Sequence, residues 1–300
     1  MTNFLISLSE TNANRLFFMP FRHIERTPMS DSQPTPRLIE GLAVTEYGPE
    51  AGQPLILSPG LGGHGAYWQP QVEAFAQRYR VILYDHRGTG QSDREIPEPY
   101  AVSHLADDIR MIMDGLGYDA AHIVGHAAGA LAGLELARTA PDRILTLTAV
   151  NGWAIADAYF KRCFEIRSDI FRTQGVEGYL KAQPVFLYPA EYIASNMDDI
   201  DAHNALRVQD FQSGPTLLAR IEALAAFDIV HDLKDIHVPV LVLSAADDML
   251  VPHRSSRLLS DALPNVMPVE MPWGGHAVNV TAAHAFNDHL MSFLIAHSGR

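Results

Sequence analysis

A single cysteine, Cys163, stands in 300 residues. It leaves no intrachain disulfide and no thiolate cluster for zinc or iron–sulfur, and it suits a reducing cytoplasm. Basic residues are scarce as well: 22 Lys and Arg against 35 Asp and Glu give a formal net charge of -13. No Lys/Arg run offsets that balance, so nucleic acid and anionic membrane surfaces are excluded as partners. The apolar stretches at residues 4–8 and 16–21 are too short to span a bilayer or to form a signal-peptide core. His64, His122, His253 and His284 fall into no metal-ligand spacing, so neither metal nor cofactor is expected.

What is present is a chain 47% hydrophobic and 19% charged, sufficient to bury a substantial core. Residues 1–40 read as a flexible leader, with Met29 as an alternative start. From about Gly41 short apolar runs alternate with helical ones, the pattern of a mostly parallel sheet with helices on both faces. Residues 41–47 read as an early antiparallel strand, and 54–58 and 80–84 as central strands buried on both sides. Residues 103–113 read as a core-facing helix with Ser103 as its N-cap. Strands follow at 121–124 and 143–150, then the sheet rhythm stops. Residues 154–234 are helical with Pro and Gly breaks, too long for a connection, and read as an inserted lid. Strands resume at 238–243 and 266–271, and a helix over 284–296 closes the chain. The expected divisions are therefore 1–40, 41–153, 154–234 and 235–300.

The chemistry centres on Gly125-His126-Ala127-Ala128-Gly129, between a strand and a helix. The two glycines match the G-x-S-x-G turn of a nucleophile elbow, where close packing leaves no room for Cβ atoms. The central position is Ala127, which cannot attack anything. Asp248 follows the next-to-last strand and His276 follows the last, so elbow, acid and base occur in the order of a hydrolytic triad. Such an acid fixes the imidazole tautomer and leaves one ring nitrogen free to take a proton. Asp247 is the competing carboxylate; spacing to Pro252 favours Asp248.

The glycine-rich loop Ser58-Pro59-Gly60-Leu61-Gly62-Gly63 lies where backbone N–H groups of Leu61 and Ala128 would form an oxyanion hole. Asp85 and Arg87 read as loop supports. His126 reads first as packing against the sheet, and with Trp153 and Tyr188 it is a candidate for the pocket wall. Phe186 and Tyr192 either line that pocket or fill the lid. Cys163, flanked by Phe160 and Phe164, reads as a buried structural thiol.

With Ala127, Asp248 and His276 placed, the chain resembles the α/β-hydrolase superfamily. It resembles more closely the RutD family, the aminoacrylate/carbamate hydrolases of the Rut pathway for uracil breakdown. The stretches that carry the closer resemblance are Val150-Asn151-Gly152-Trp153, Arg162-Cys163-Phe164, residues 182–190, and Gly274-Gly275-His276-Ala277-Val278-Asn279-Val280-Thr281. The resemblance runs from about Gln53 to the C-terminus, and the lid matches are the informative ones because lids vary among hydrolases. It implies an α/β-hydrolase fold and ammonia release from aminoacrylate or carbamate. The expected partners are a small-molecule substrate and, in assembly, a second copy as a homodimer. Two other readings fit the same residues: another nucleophile-free hydrolase or lyase on small carbonyl compounds, and a non-catalytic protein that shelters a labile intermediate.

Overall fold

The computed structural model describes residues 34–298; the expected leader up to Gln33, with Met29, lies outside the described residues. The sheet has eight strands: β1 (Arg37–Ile39), β2 (Leu42–Tyr47), β3 (Pro54–Ser58), β4 (Arg80–Tyr84), β5 (Ala121–His126), β6 (Ile144–Val150), β7 (Val240–Ala245) and β8 (Val266–Met271). Their order across the sheet is β1-β2-β4-β3-β5-β6-β7-β8. The pairs β1–β2 and β2–β4 are antiparallel and the others parallel. Strand β1 begins inside the stretch expected to be leader, because Ile39 buries its side chain and pairs back on Leu42.

The central strands are apolar throughout because both faces are covered. Alternation within them sorts side chains into two cores: Leu55 and Leu57 face one layer, Ile56 the other. The first layer holds Trp68, Phe75 and Val72 of α1 (Gln69–Phe75) against Phe286 and Leu290 of α9 (Ala283–His297). The second holds α2 (Val102–Leu116) and α3 (Ala128–Thr139), with Leu105, Ile109 and Ile112 at helical spacing. The start of α2 differs from expectation. Ala101, not Ser103, is its N-cap, and the Ala101 N–H donates to the His104 imidazole at 3.1 Å.

The lid comprises α4 (Ala158–Leu187), α5 (Ala190–Arg207) and α6 (Gly214–Ala226). Gly175 kinks α4 at φ 68°, a conformation L side chains resist. The remaining helices are α7 (His253–Ala262) and the single turn α8 (Val278–Thr281). Strand β7 starts two residues after the expected 238, beyond Pro239, which has no N–H to give a ladder. Among the described residues no helix is long and apolar enough to cross a membrane.

The glycines of the β5–α3 turn are demanded by space. A Cβ on Gly125 would lie 2.1 Å from the Gly129 carbonyl oxygen, and one on Gly129 would lie 2.2 Å from that of Ser58. Alanine in place of a helical glycine ordinarily gains about 1 kcal/mol. Here the overpacking term, about 1–3 kcal/mol or more, opposes it against rigid backbone. Gly129→Ala is therefore expected to lower urea stability by about 1 kcal/mol or more; equal or higher stability would contradict this packing account.

Burial also sets the acid response. Desolvation pushes the rings of His86, His122 and His126 toward the neutral form, His122 down to about 4. Unfolding lets each take a proton below ~6.5, so their contribution is complete above that pH and is lost as pH falls. Burial raises Asp108 to about 6 against the pull of Arg87, which works in the opposite sense. The lowered histidines outnumber that one carboxyl, so the protein should lose stability as pH falls from ~6.5 to ~5. Urea titrations at pH 7 and 5.5 should show this fall, and a flat profile would contradict it.

Candidate active site

Five strands end at the same edge of the sheet, and each delivers one part of the site. β5 runs into the turn at Ala127, which is held at φ 48°, ψ -107°. Its N–H donates to the Val150 carbonyl at 2.9 Å, tying the turn to the end of β6. β3 leads into the loop carrying Gly60 and Leu61. β7 leads to Asp248 and β8 to His276.

Asp248 and His276 meet: Nδ1 of the ring lies 2.8 Å from Asp248 Oδ2, with the carboxylate side chain fully buried. The other carboxylate oxygen accepts the Leu250 and Val251 N–H groups at 2.8 and 2.9 Å. A buried carboxylate is tolerated when its lone pairs are filled in this way. An acceptor at Nδ1 places the proton there and leaves Nε2 as the free basic nitrogen. Asp247, the competing acid, does other work. Its oxygens accept the N–H groups of Gly275 at 2.8 Å and Gly274 at 3.3 Å, shaping the turn that delivers His276.

Two residues grip the His276 backbone. Asn151 Nδ2 donates to its carbonyl oxygen at 2.7 Å, and His126 Nε2 lies 2.8 Å from the same oxygen. That carbonyl can only accept, so His126 carries its proton on Nε2, and desolvation keeps the ring neutral. The three rings Tyr67, His126 and His276 follow one another at centroid separations of 4.8 and 4.6 Å. Asn151, at φ 48° and fully buried, also accepts the Ala245 N–H at 3.2 Å. Sequence reasoning named it only within a stretch that carries the family resemblance and gave it no role. The signal was a polar residue directly after a buried strand, beside the elbow strand.

A cavity of about 300 Å³ lies over this edge, with helices α4 and α5 forming part of its wall. Ala127, Leu61, Ala128, His126, Trp153, Tyr188 and His276 all line it, whereas Phe186 and Tyr192, the two residues left open between pocket and lid, do not. Ala128 is the first residue of α3, where an N–H has no partner within its helix and faces the positive end of the dipole. Trp153, Phe160 and Phe164 form a continuous aromatic wall with successive centroids 4.3 and 4.5 Å apart.

Among the described residues around the cavity there is no serine, threonine, cysteine or lysine. Ser58 is turned away to the Tyr84 hydroxyl at 2.7 Å. Cys163 is buried outside the cavity wall, its thiol pushed up by desolvation, so it is not a substitute nucleophile. Asp85 accepts the N–H groups of Gly65 and Gln91, and Arg87 pairs with Asp108 at 3.2 Å; both are loop supports. Among the described residues no group of three His, Cys, Asp or Glu is placed to hold a metal ion.

Known proteins resemble this one in both sequence and fold. A family model for the alpha/beta hydrolase fold matches residues 53–169. A protein of Caulobacter sp. named "Putative carbamate hydrolase RutD" is 46% identical over 258 residues, covering 85% of this chain and 96% of that one. Its namesake from Caulobacter vibrioides is 49% identical over 248 residues, covering 82% and 92%. Among solved structures, the enol-lactonase of Burkholderia xenovorans superposes with a TM-score of 0.77 at 28% identity, over 85% of this chain and 96% of that one. The full-length likeness to such relatives, on a sheet and elbow of this geometry, places the chain in the RutD family of the α/β-hydrolase fold.

Proposed function

We propose that this hydrolase cleaves the C–N bond of a small compound, carbamate or aminoacrylate, releasing ammonia through a water molecule activated by His276. The observation that carries the reading is the site's combination of an intact Asp248–His276 pair with Ala127 at the elbow and no serine, threonine, cysteine or lysine on the described cavity wall. The names of the relatives support the carbamate part of it.

The geometry supports the following course. A water occupies the space above the Ala127 methyl group, within reach of His276 Nε2. That nitrogen takes a proton from the water as its oxygen bonds to the reacting carbon, and Asp248 stabilises the imidazolium that forms. The N–H groups of Leu61 and Ala128 steady the developing oxyanion. The imidazolium then returns the proton to the departing nitrogen, which leaves as ammonia. Carbamate thereby yields bicarbonate, which loses water to give carbon dioxide, and aminoacrylate yields the enol of malonic semialdehyde, which becomes the aldehyde as its hydroxyl proton passes to the neighbouring carbon; neither conversion requires an acyl-enzyme. Both compounds also decompose unaided, so the rate gain required of the protein is modest.

General-base help of this kind contributes about 10²- to 10⁴-fold. His276→Ala is accordingly expected to lower ammonia release from the preferred compound by about 10²-fold or more, toward the buffer rate. Release equal to the wild type would refute the mechanism. A second variant tests the space above the elbow. Ala127→Ser puts a hydroxyl where the water sits, displacing it without leaving room for a second oxygen at the reacting carbon. Ammonia release should fall, and a rise would mean that the site works better with a covalent nucleophile.

A further inference from the structure

Arg207 ends lid helix α5 and lines the same cavity. Its position is fixed by the loop below: a Cβ built on Gly62 would lie 2.9 Å from the Arg207 Nη2 atom. The guanidinium therefore sits over the residue next to Leu61, whose N–H is assigned to the oxyanion. Among the described residues, no carboxylate lies within 4.0 Å of it. The groups that bear on its charge are the phenols of Tyr188 and Tyr179, while burial acts against the charged form. Asp210, three residues on, lines the cavity without pairing to it; His64 and His203, also at the wall, are both held toward the neutral form by burial and by Arg207 itself.

A second lid cation adds to the same local field. Arg167 is buried, spreads over the rings of Phe164, Tyr179 and Phe186 at 5.6–5.8 Å, and donates to Tyr179 and Gln183 at 2.9 Å. Its charge is absorbed by aromatic faces and neutral acceptors. That of Arg207 is not. A partly buried guanidinium without an anion is costly to keep, and a planar fork of donors matches a carboxylate best. The chain's overall charge of -13 does not oppose this, because at physiological salt it is screened beyond ~8 Å.

Building on the hydrolytic reading above, we infer that Arg207 is the carboxylate clamp of this cavity and that the substrate it selects carries its carboxylate beside, not at, the reacting carbon. Adjacent Cα atoms lie about 3.8 Å apart. A carboxylate held over Gly62 thus leaves a carbon two bonds away on the side of the neighbouring Leu61. A three-carbon β-amino carboxylate has that length. In carbamate the carboxylate carbon is itself the one attacked, so it cannot satisfy both positions.

The test uses unreactive probes on the full chain, so that binding is read apart from turnover. Propionate and propionamide differ in charge with little change of shape. Calorimetric titration of the wild type should show propionate binding about 10- to 100-fold tighter than propionamide, the worth of a charge-assisted pair. Arg207→Gln should remove that preference, Arg207→Lys should restore part of it, and ammonia release from aminoacrylate by R207Q should show a raised KM with kcat less affected. Equal binding of the two probes by the wild type, or a preference surviving in R207Q, would overturn the clamp. A clamp that behaves as described in a protein that releases no ammonia would leave this assignment standing and overturn the hydrolytic one.

Discussion

The site depends on a crossing of backbones. Where β5 enters α3, the chain turns at Ala127 so tightly that Gly125 and Gly129 face each other, and Gly129 touches the end of β3, with no space for a methyl group. That crossing puts the α3 N-terminus, the Leu61 loop and the ends of β6, β7 and β8 within one small volume. The strained backbone at Ala127, φ 48° and ψ -107°, is the kind of conformation that persists only when its surroundings over-determine it. In an elbow with a serine it serves to present a hydroxyl. Here the turn is kept and the hydroxyl is not, so what it still delivers is the donor at its helix terminus and an opening beneath His276.

Everything around His276 holds that ring still. Asp248 fixes its tautomer, Asp247 shapes the turn before it, and Asn151 and His126 hold its own carbonyl oxygen. Four side chains from two loops and a strand end thus converge on one residue. A binding protein has no need of a base oriented to this degree, whereas the proposed catalyst, whose nucleophile is a water, depends on it.

Much of this was legible in the sequence. Strands β3 and β4 have the bounds that their apolar runs imply, because such runs are continuous only where both faces are buried; β8 also has its expected bounds, although it is the largely exposed edge strand. The order elbow, Asp248, His276 placed the site before any coordinates, since the topology brings those strand ends together. What stayed hidden depends on tertiary contact. The choice between Asp247 and Asp248 turns on which oxygen reaches the ring, which spacing can favour but geometry decides. Asn151 had no legible role because its work is done on a carbonyl more than a hundred residues away. Arg207 sits in a helix with little sequence amphipathicity, where a charged side chain reads as solvated. Only the fold of the lid shows that it lacks an acid and overlies Gly62. Ser103 looked like a cap, yet His104 does that work from inside the helix.

The central claim is that hydrolysis here proceeds with an activated water and no covalent intermediate. It is tested most directly by mixing the protein with freshly generated aminoacrylate or carbamate, following ammonia, and quenching samples during turnover for intact-protein mass spectrometry. The account predicts ammonia release faster than in buffer, with the mass of the chain unchanged at every time point. An adduct that rises and decays with turnover, or ammonia release no faster than in buffer with both compounds, would contradict it.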